Sequence, residues 1–272
     1  MAGSVAGHDG KSGATPPMTA RLNIFAIPGL PMVRSGDDLP ALIADALARM
    51  GETLHARDVV VIAQKIVSKA EGRTVDLATV TPSAEAETLA AQIGKDPRVV
   101  HVILSESVRV VRSRPNLMIM QHRLGFVMAN AGVDQSNVAP HDGIQRALLL
   151  PVDPDGSAEA IRARLSDQFG VPLGVVINDS FGRPWRRGTA GVAIGAAGLP
   201  SLIDLRGSPD LFGRTLEVSI VGFADEIAAA ASLLQGQADE GQPVVVVRGL
   251  SWTAPDATVA EIVRPPEEDL FQ

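Results

Sequence analysis

An apolar run followed directly by a charged, hydroxyl-bearing segment constrains this chain more than any other feature. The run VPLGVVI, which ends at Ile177, is rich in β-branched residues and predicts a buried strand. The segment NDSFGRPWRRGTAG, residues 178–191, follows it at once. Because ligands of open α/β sheets bind at the carboxyl ends of strands, we expect the polar side chains of this segment to line a site.

The residue types in that segment indicate two kinds of ligand. Asp179 and Ser180 carry the hard oxygen atoms that a divalent cation prefers. Arg183, Arg186 and Arg187 match the geometry of phosphate oxygens. A solvated loop with surface arginines accounts for the same residues equally well, so the segment alone leaves a metal-assisted phosphate site and a plain surface loop both open.

Composition excludes several other classes of protein. The 272 residues are 46% hydrophobic and carry a net charge of −7, which is typical of a globular protein without the basic surface of a nucleic-acid binder. The absence of cysteine excludes disulfides, thiolate nucleophiles and zinc–cysteine sites. No apolar run approaches the length of a membrane span. We therefore expect a cytoplasmic enzyme with no nucleic-acid and no membrane partner.

Local composition divides the chain into three parts. Residues 1–20 are rich in glycine, serine and proline, lack the apolar segment of a signal peptide, and are expected to form a disordered leader. Residues 21–254 are expected to form one domain, and residues 255–272 a loosely ordered tail. Strand-like runs outnumber clear strand–helix–strand units, which favours an α+β or mixed α/β fold over a dinucleotide-binding sheet.

Periodicity and capping residues place the main elements. Buried strands are predicted at 22–27, 58–64 and 243–249, and an antiparallel meander at 107–112, 117–122 and 125–130. Helices are predicted from Asp37 or Asp38 to Met50, from Ser83 to Ile93, over 97–105, from Ser157 to Phe169 and over 223–234. The glycine-rich stretch 188–207 contains no phosphate-loop or dinucleotide fingerprint.

Three further groups of residues are candidates for ligand binding, each with a simpler alternative. Asp134 follows an apolar strand in the loop 131–143 and is a candidate metal ligand, although an isolated loop aspartate more commonly caps a turn. Lys65 and Lys69 follow a buried strand, where lysines either reach phosphates or are simply solvated. The acidic loop around Gln237 either holds a second cation or lies exposed to solvent.

Five segments in a fixed order resemble one known family. IPGLPMVRSGDDL, VVIAQKIVSKAEGR, ANAGVDQSN, NDSFGRPWRRGTAG and ADEIAAAASLLQGQADEGQPVVVVRG together make residues 22–250 similar to the F420 gamma-glutamyl ligases, the coenzyme F420-0:L-glutamate ligase family. The resemblance implies a two-lobed gamma-glutamyl ligase fold with mixed and antiparallel sheets, and a homodimer. It also implies a GTP-dependent ligase that adds L-glutamate to the deazaflavin precursor coenzyme F420-0 through an acyl phosphate, in coenzyme F420 biosynthesis.

The resemblance further implies a set of site residues. A divalent metal, manganese or magnesium, would be held by Asp134, Asp179, Ser180 and Gln237, with a monovalent cation as a further candidate. Ser180 stands where the family often has threonine, and Gln237 where some members have an acidic residue. The nucleotide would contact Leu30, Pro31, Met32, Val33, Gln64, Lys65, Lys69, Asn137, Gln235, Gly236, Gln237, Ala238, Asp239, Glu240, Gly241 and Gln242.

Several points stay open at the level of sequence. No residue stands out as a general base, and the three arginines can serve either the nucleotide phosphates or the phosphodiester of the precursor. A metal-dependent phosphohydrolase or phosphotransferase acting on nucleotides is the main alternative, because it would use the same acidic loops. A nucleotide-binding regulatory protein is the non-enzymatic alternative. The sequence also leaves open how many glutamates are added.

Overall fold

The computed structural model describes residues 20–136, 138 and 143–269, in which six α-helices and twelve strands are defined. The helices are α1 (Leu39–Met50), α2 (Gln64–Ala70), α3 (Ala84–Ile93), α4 (Pro97–Ser105), α5 (Pro154–Phe169) and α6 (Phe223–Gln235). The strands are β1 (Asn23–Ala26), β2 (Val59–Ala63), β3 (Thr74–Asp76), β4 (Ser107–Arg114), β5 (Leu117–His122), β6 (Val127–Ala129), β7 (Arg146–Leu148), β8 (Gly174–Arg183), β9 (Arg186–Ala197), β10 (Ile203–Asp204), β11 (Ile220–Val221) and β12 (Val244–Arg248).

A five-stranded mixed sheet forms the centre of the larger lobe. Its order is β1-β12-β2-β8-β9, and β2 and β8 run parallel while the other neighbours are antiparallel. Successive side chains of a strand point to opposite faces, and both faces are buried here. Val60 and Ile62 of β2 pack in the core that includes residues of α1, α2 and α5, whereas Val59 and Val61 pack in the core that includes α6.

A smaller lobe has its own core. Helices α3 and α4 pack with the three-stranded sheet β4-β5-β6, around residues such as Ile103, Met118 and Met120. A two-stranded ladder of β3 and β7 contributes Ala147 to this core. The predicted meander and the predicted α+β class are confirmed by this arrangement.

Capping side chains set the helix starts, and one predicted start is wrong. Asp38 and Ser83 cap α1 and α3 by accepting hydrogen bonds from Ala41 N and Ala86 N, at 3.2 Å each. Helix α5 begins at Pro154 instead of after Ser157, because the Asp153 carboxylate accepts a hydrogen bond from Gly156 N at 3.0 Å. Proline is favoured at the first helical position, where its missing N–H has no intrahelical acceptor.

The predicted end of the strand before Asp179 is also wrong. Strand β8 continues past Ile177 to Arg183 and turns into β9, so Asp179 and Ser180 lie within a long hairpin and not in a loop at a strand end. The glycine-rich stretch supplies the partner strand. A Cβ atom at Gly191 would overlap the carbonyl oxygen of Ala228 in α6, and one at Gly195 would overlap that of Pro154 in α5. Glycine therefore lets both helices pack directly on β9.

Parts of three predictions lie outside the described residues. Residues 1–19 include nearly all of the predicted leader, Asn137 and residues 139–142 belong to the candidate loop, and residues 270–272 belong to the predicted tail. Near the other end, Val259 is buried and its N–H donates to the Asp155 carboxylate at 3.0 Å. The loose order of residues 255–272 as a whole stays a prediction. Within the described part of the chain, no helix combines the length and apolar character that crossing a bilayer requires.

Candidate functional site

The parallel pairing of β2 and β8 brings two predicted site segments together. Ala63, the last residue of β2, lies opposite Asn178 of β8. Beyond this pair β2 gives way to α2, whereas β8 continues through Asp179. Asp179 therefore lies beside the carboxyl end of β2 and the first turn of α2, which carries Lys65. The candidate site therefore lies at the end of a parallel strand, and the strand that ends there is β2.

Asp134, in the loop that follows β6, also lies at this position. Lys65 Nζ lies 2.7 Å from Asp134 Oδ2 and donates to Ser136 Oγ at 2.8 Å. Ser136 in turn donates its N–H to Asp134 Oδ1 at 2.7 Å and its hydroxyl to Asp134 Oδ2 at 2.9 Å. The Asp134 backbone pairs with Leu148, with N–H to O distances of 3.0 and 2.8 Å. The carboxylate is thus held by both side-chain and backbone contacts.

The two carboxylates are in different electrostatic environments. Burial raises the pKa of Asp179 to about 6, and the nearby Asp134 carboxylate adds to this, while the Ser180 N–H and the Lys65 charge act in the opposite direction. Burial also acts to raise the pKa of Asp134, but the hydrogen bonds from Lys65 and Ser136 outweigh it and lower the pKa below its usual value. A poorly hydrated carboxylate next to a second one has much to gain from a bound cation.

The oxygen atoms present fit a hard divalent cation. Asp134 and Asp179 provide carboxylates and Ser180 a hydroxyl, and all are ligand types that magnesium and manganese accept. Among the described residues, no group of three or more histidine, cysteine or acidic side chains could hold a metal on its own. A small donor set leaves several coordination positions for water or substrate oxygens, which is the usual arrangement for magnesium.

A second positive side chain and a nearby loop extend the site along α2. Burial and the charge of Lys65 both lower the pKa of Lys69, so the two ammonium groups influence each other. Gly36 N donates to Ala70 O at 2.8 Å, which brings the segment that follows Leu30–Val33 to the end of α2. Gln64, predicted as a nucleotide contact, is buried and accepts a hydrogen bond from Ser68 Oγ at 2.9 Å.

The predicted segment 235–242 is attached to β8 through its first residue. Asn178 Nδ2 donates to Gln235 Oε1 at 2.7 Å, and Gln235 Nε2 donates to Asn178 Oδ1 at 3.1 Å. This reciprocal pair fixes the start of the segment next to Asp179. Gln237 is exposed, and the loop beyond it closes on itself through a 2.8 Å bond from Ala238 N to Glu240 Oε2.

Sequence reasoning missed two residues that organise the site and named others that lie outside the described part. Asn178 and Ser136 were not singled out as candidates. The direct adjacency of Asn178 to Asp179 in the motif was the available signal. Asn137 and residues 139–142 of the candidate loop 131–143 lie outside the described residues.

One known protein family matches most of the chain. The sequence profile described as F420-0:Gamma-glutamyl ligase matches residues 29–249. The chain belongs to this family. The match includes every segment that contributes to the site, from the loop after β1 to the strand β12.

Several individual F420-0:gamma-glutamyl ligases match this chain over nearly their whole length. Coenzyme F420:L-glutamate ligase of Methanothermobacter thermautotrophicus is 47% identical over 253 residues, which are 92% of this chain and 99% of the relative. The protein of the same name from Methanopyrus kandleri is 47% identical, covering 92% and 98%. That of Archaeoglobus fulgidus is 42% identical, covering 93% and 97%.

Proposed function

We propose that this chain is a GTP-dependent ligase that joins L-glutamate to coenzyme F420-0 in coenzyme F420 biosynthesis. The observation that carries the proposal is the 47% identity to Coenzyme F420:L-glutamate ligase over 92% of the chain. The grouping of Lys65, Lys69, Asp134 and Asp179 beside the end of β2 supports it, because phosphoryl transfer requires positive side chains and metal-binding carboxylates at one place.

The chemistry balances in two steps. An oxygen of the acceptor carboxylate attacks the γ-phosphorus of GTP, the bond to the β-phosphate oxygen breaks, and GDP leaves. The amino group of glutamate then attacks the carbonyl carbon of the acyl phosphate, inorganic phosphate leaves, and the amine loses a proton as the amide forms. The role of the protein is to align the reactants and to compensate negative charge.

The proposal gives each group of site residues a task according to its charge and position. Lys65 and Lys69 would contact phosphate oxygens of the nucleotide, together with the segments 30–33 and 235–242. Asp134, Asp179, Ser180 and Gln237 would hold a divalent cation, manganese or magnesium, which when bound would neutralise phosphate charge. Lys65 contacts Asp134 directly, so binding of a cation there would free its ammonium group for the nucleotide.

We further propose that the chain functions as a homodimer. A ribbon built on β10 and β11 extends through the bonds Gly207 N to Leu216 O and Leu216 N to Ser208 O, both 2.9 Å. At its tip Leu211 and Phe212 are 100% and 95% exposed. Adjacent, fully exposed large apolar side chains are typical of surfaces that a partner covers.

Product analysis tests the proposed activity. The purified chain is incubated with GTP, manganese chloride, L-glutamate and coenzyme F420-0, and the product is examined by mass spectrometry. The expected result is the mass of the acceptor plus one or more glutamyl residues, together with an equal amount of GDP. Failure to form this product with any nucleoside triphosphate would refute the proposal.

Omission of one substrate separates the proposal from its alternative. A ligase should release little GDP when glutamate or F420-0 is left out. A phosphohydrolase would release GDP and phosphate at an unchanged rate under the same conditions. Replacement of GTP by ATP tests the nucleotide preference separately from the ligation itself.

A further inference from the structure

A turn of unusual backbone conformation lies between β6 and Asp134. Asn130, Ala131 and Gly132 follow one another with φ of 52°, 50° and 70°, all in the left-handed region. Val133 N donates to Asn130 O at 3.0 Å and closes the turn. Positive φ at both central residues is the mark of a type I′ turn, in which asparagine, aspartate or glycine normally stands first. Here the first central residue is alanine, whose Cβ atom disfavours this conformation.

Packing from both lobes holds this left-handed turn in place. The Ala131 side chain is fully buried in the core of the smaller lobe. Gly132 lies against the larger lobe, where a Cβ atom added to it would be 2.8 Å from Cγ of Leu150, a member of that lobe's core. A disfavoured backbone conformation persists only where its surroundings determine it, and such conformations cluster at functional sites.

The chain passes from the left-handed turn almost directly into the candidate site. Val133 is extended, with φ of −67° and ψ of 119°, and its side chain is buried in the core of the smaller lobe. Asp134 follows, its backbone paired with Leu148 and its carboxylate 2.7 Å from Lys65 Nζ. Because a single residue separates the turn from Asp134, a change in the turn dihedrals would displace this carboxylate relative to Lys65.

We propose that the left-handed turn 130–132 is a positioning element that directs the Asp134 carboxylate toward the cation site. The inference rests on the function proposed above, because it takes Asp134 as a ligand of the divalent cation. Asn130 and Ala131 act through Asp134 and are not themselves ligands. Burial of the Ala131 methyl group offsets the cost of its left-handed backbone and restricts the turn more than a glycine would.

Two variants at Asn130 separate backbone conformation from side-chain chemistry. Asn130→Gly keeps the left-handed conformation accessible, whereas the β-branched side chain in Asn130→Val strongly disfavours it. Binding of Mn²⁺ to each purified chain is measured by electron paramagnetic resonance of the free ion. Asn130→Val should weaken binding about 10- to 100-fold, and Asn130→Gly by less than about threefold. In ligase assays of Asn130→Val, the half-saturating Mn²⁺ concentration should rise by the same factor, and kcat should recover in excess Mn²⁺.

Ala131→Gly distinguishes positioning from strain alone. The variant removes the Cβ atom that disfavours a φ of 50°, and it also removes a buried methyl group. Because these two effects oppose each other, the melting temperature should stay near that of the wild type. The turn gains conformational freedom, so Mn²⁺ binding should weaken by about three- to 10-fold. This variant decides the inference if Asn130→Val fails to fold.

Asn116 provides a matched control in the same lobe. It has a φ of 63° in the exposed turn between β4 and β5, and the chain continues from it into β5. Asn116→Val should lower the melting temperature through the same backbone effect and leave the Mn²⁺ affinity unchanged. Equal weakening of Mn²⁺ binding in Asn116→Val and Asn130→Val would mean a general loss of stability in the lobe and would contradict positioning.

The outcomes separate this inference from the proposed activity. Unchanged Mn²⁺ affinity in Asn130→Val and Ala131→Gly would overturn the inference, and so would the absence of Mn²⁺ binding by the wild-type chain. A wild-type chain that binds Mn²⁺ but forms no glutamyl product would refute the proposed activity. The Mn²⁺ affinities of the variants would still decide the role of the left-handed turn in that case.

Discussion

Asp179 lies at a position that disfavours the ionised form of its carboxyl group when no cation is bound. The carboxyl group is poorly hydrated, with its pKa raised to about 6, and such a group destabilises the fold when it is ionised. Asp179→Asn is nearly isosteric and removes the charge. We expect this variant to lose nearly all ligase activity in saturating manganese, with a melting temperature at or above that of the wild type at pH 7.

Paired assays of turnover and thermal unfolding check this expectation. Asp167→Asn, at an exposed position of α5, is a matched control that should leave both quantities unchanged. Wild-type turnover in Asp179→Asn would remove this residue from the site. A large loss of stability would instead mean that the carboxylate has a structural role.

Lys69 is a candidate for a direct phosphate contact. Burial and the charge of Lys65 lower the pKa of the Lys69 ammonium group, and a phosphate bound there would stabilise the charged form. Lys69→Ala should weaken GTP binding about 10- to 100-fold by the loss of a charge-assisted contact. Calorimetric titration with GTP measures this, and Lys95→Ala, in the turn between α3 and α4, is the control. Equal dissociation constants for wild type and Lys69→Ala would exclude the contact.

At the scale of elements, the buried carboxylate of Glu106 contacts side chains from several segments of the chain. Glu106, between α4 and β4, has an oxygen 2.9 Å from Arg73 Nη2 and 3.1 Å from Arg123 Nε. His122 Nδ1 accepts from Leu124 N at 3.0 Å, so the ring proton is on Nε2, which lies 3.5 Å from the same Glu106 oxygen. Burial alone would raise the pKa of Glu106, but His122 and the two arginines lower it to about 2.

This network predicts a stability that depends on pH. Because the pKa of Glu106 is lower in the folded chain than its ordinary 4.5, the ionised carboxylate stabilises the fold above that pH, and the contribution is lost as the pH falls toward 2. Glu106→Gln should lower the free energy of unfolding at pH 7 by on the order of 2–3 kcal/mol. Urea denaturation at pH 7, 4 and 3 should show the difference from wild type shrinking.

An exposed ion pair provides the comparison for Glu106. Glu159 of α5 pairs with Arg162 at 2.7 Å on the surface, and Glu159→Gln should change the free energy of unfolding by under about 0.5 kcal/mol. A difference between wild type and Glu106→Gln that stays constant from pH 7 to pH 3 would contradict ionisation as its source. The cause would then be packing.

The helices could be predicted where a local signal determines them. Asp38 and Ser83 are capping residues that act within three residues of themselves, so their sequence context suffices. Strand β9 could not be predicted in this way. It contains glycines because α5 and α6 pack directly on it. Both helices come from other parts of the chain, so the local sequence of the strand does not indicate this packing.

The candidate site was predictable by residue type more than by geometry. Asp134, Asp179 and Lys65 were identified as candidates from the sequence. In the structure, the pairing of β2 with β8 and the 2.7 Å contact between Lys65 and Asp134 bring them together. Ser136 and Asn178 were missed because their roles depend on partners far along the chain. The sequence thus indicated charged candidate groups but not the contacts that position them, since residues such as Ser136 and Asn178 have no distinctive chemistry.

At the scale of the whole molecule, the ribbon of β10 and β11 carries apolar side chains that the described residues leave exposed. A homodimer that buries Leu211 and Phe212 should show a melting temperature that rises with protein concentration. Phe212→Asp should shift sedimentation toward a species of about 28 kDa, the mass of one chain, since a charge at a covered apolar position disfavours association. Val108→Asp, at an exposed position of β4, is the control. An active wild-type monomer at micromolar concentration would contradict the dimer.

The alternation along β8 also restricts how the length of this chain can change during evolution. Asn178 is bonded to α6 and Asp179 lies beside α2, so a single inserted or deleted residue upstream in the strand would exchange their faces. Insertions and deletions in β8 should therefore be strongly selected against. They should accumulate in the ribbon between residues 205 and 219, where added residues leave the register of the central sheet unchanged.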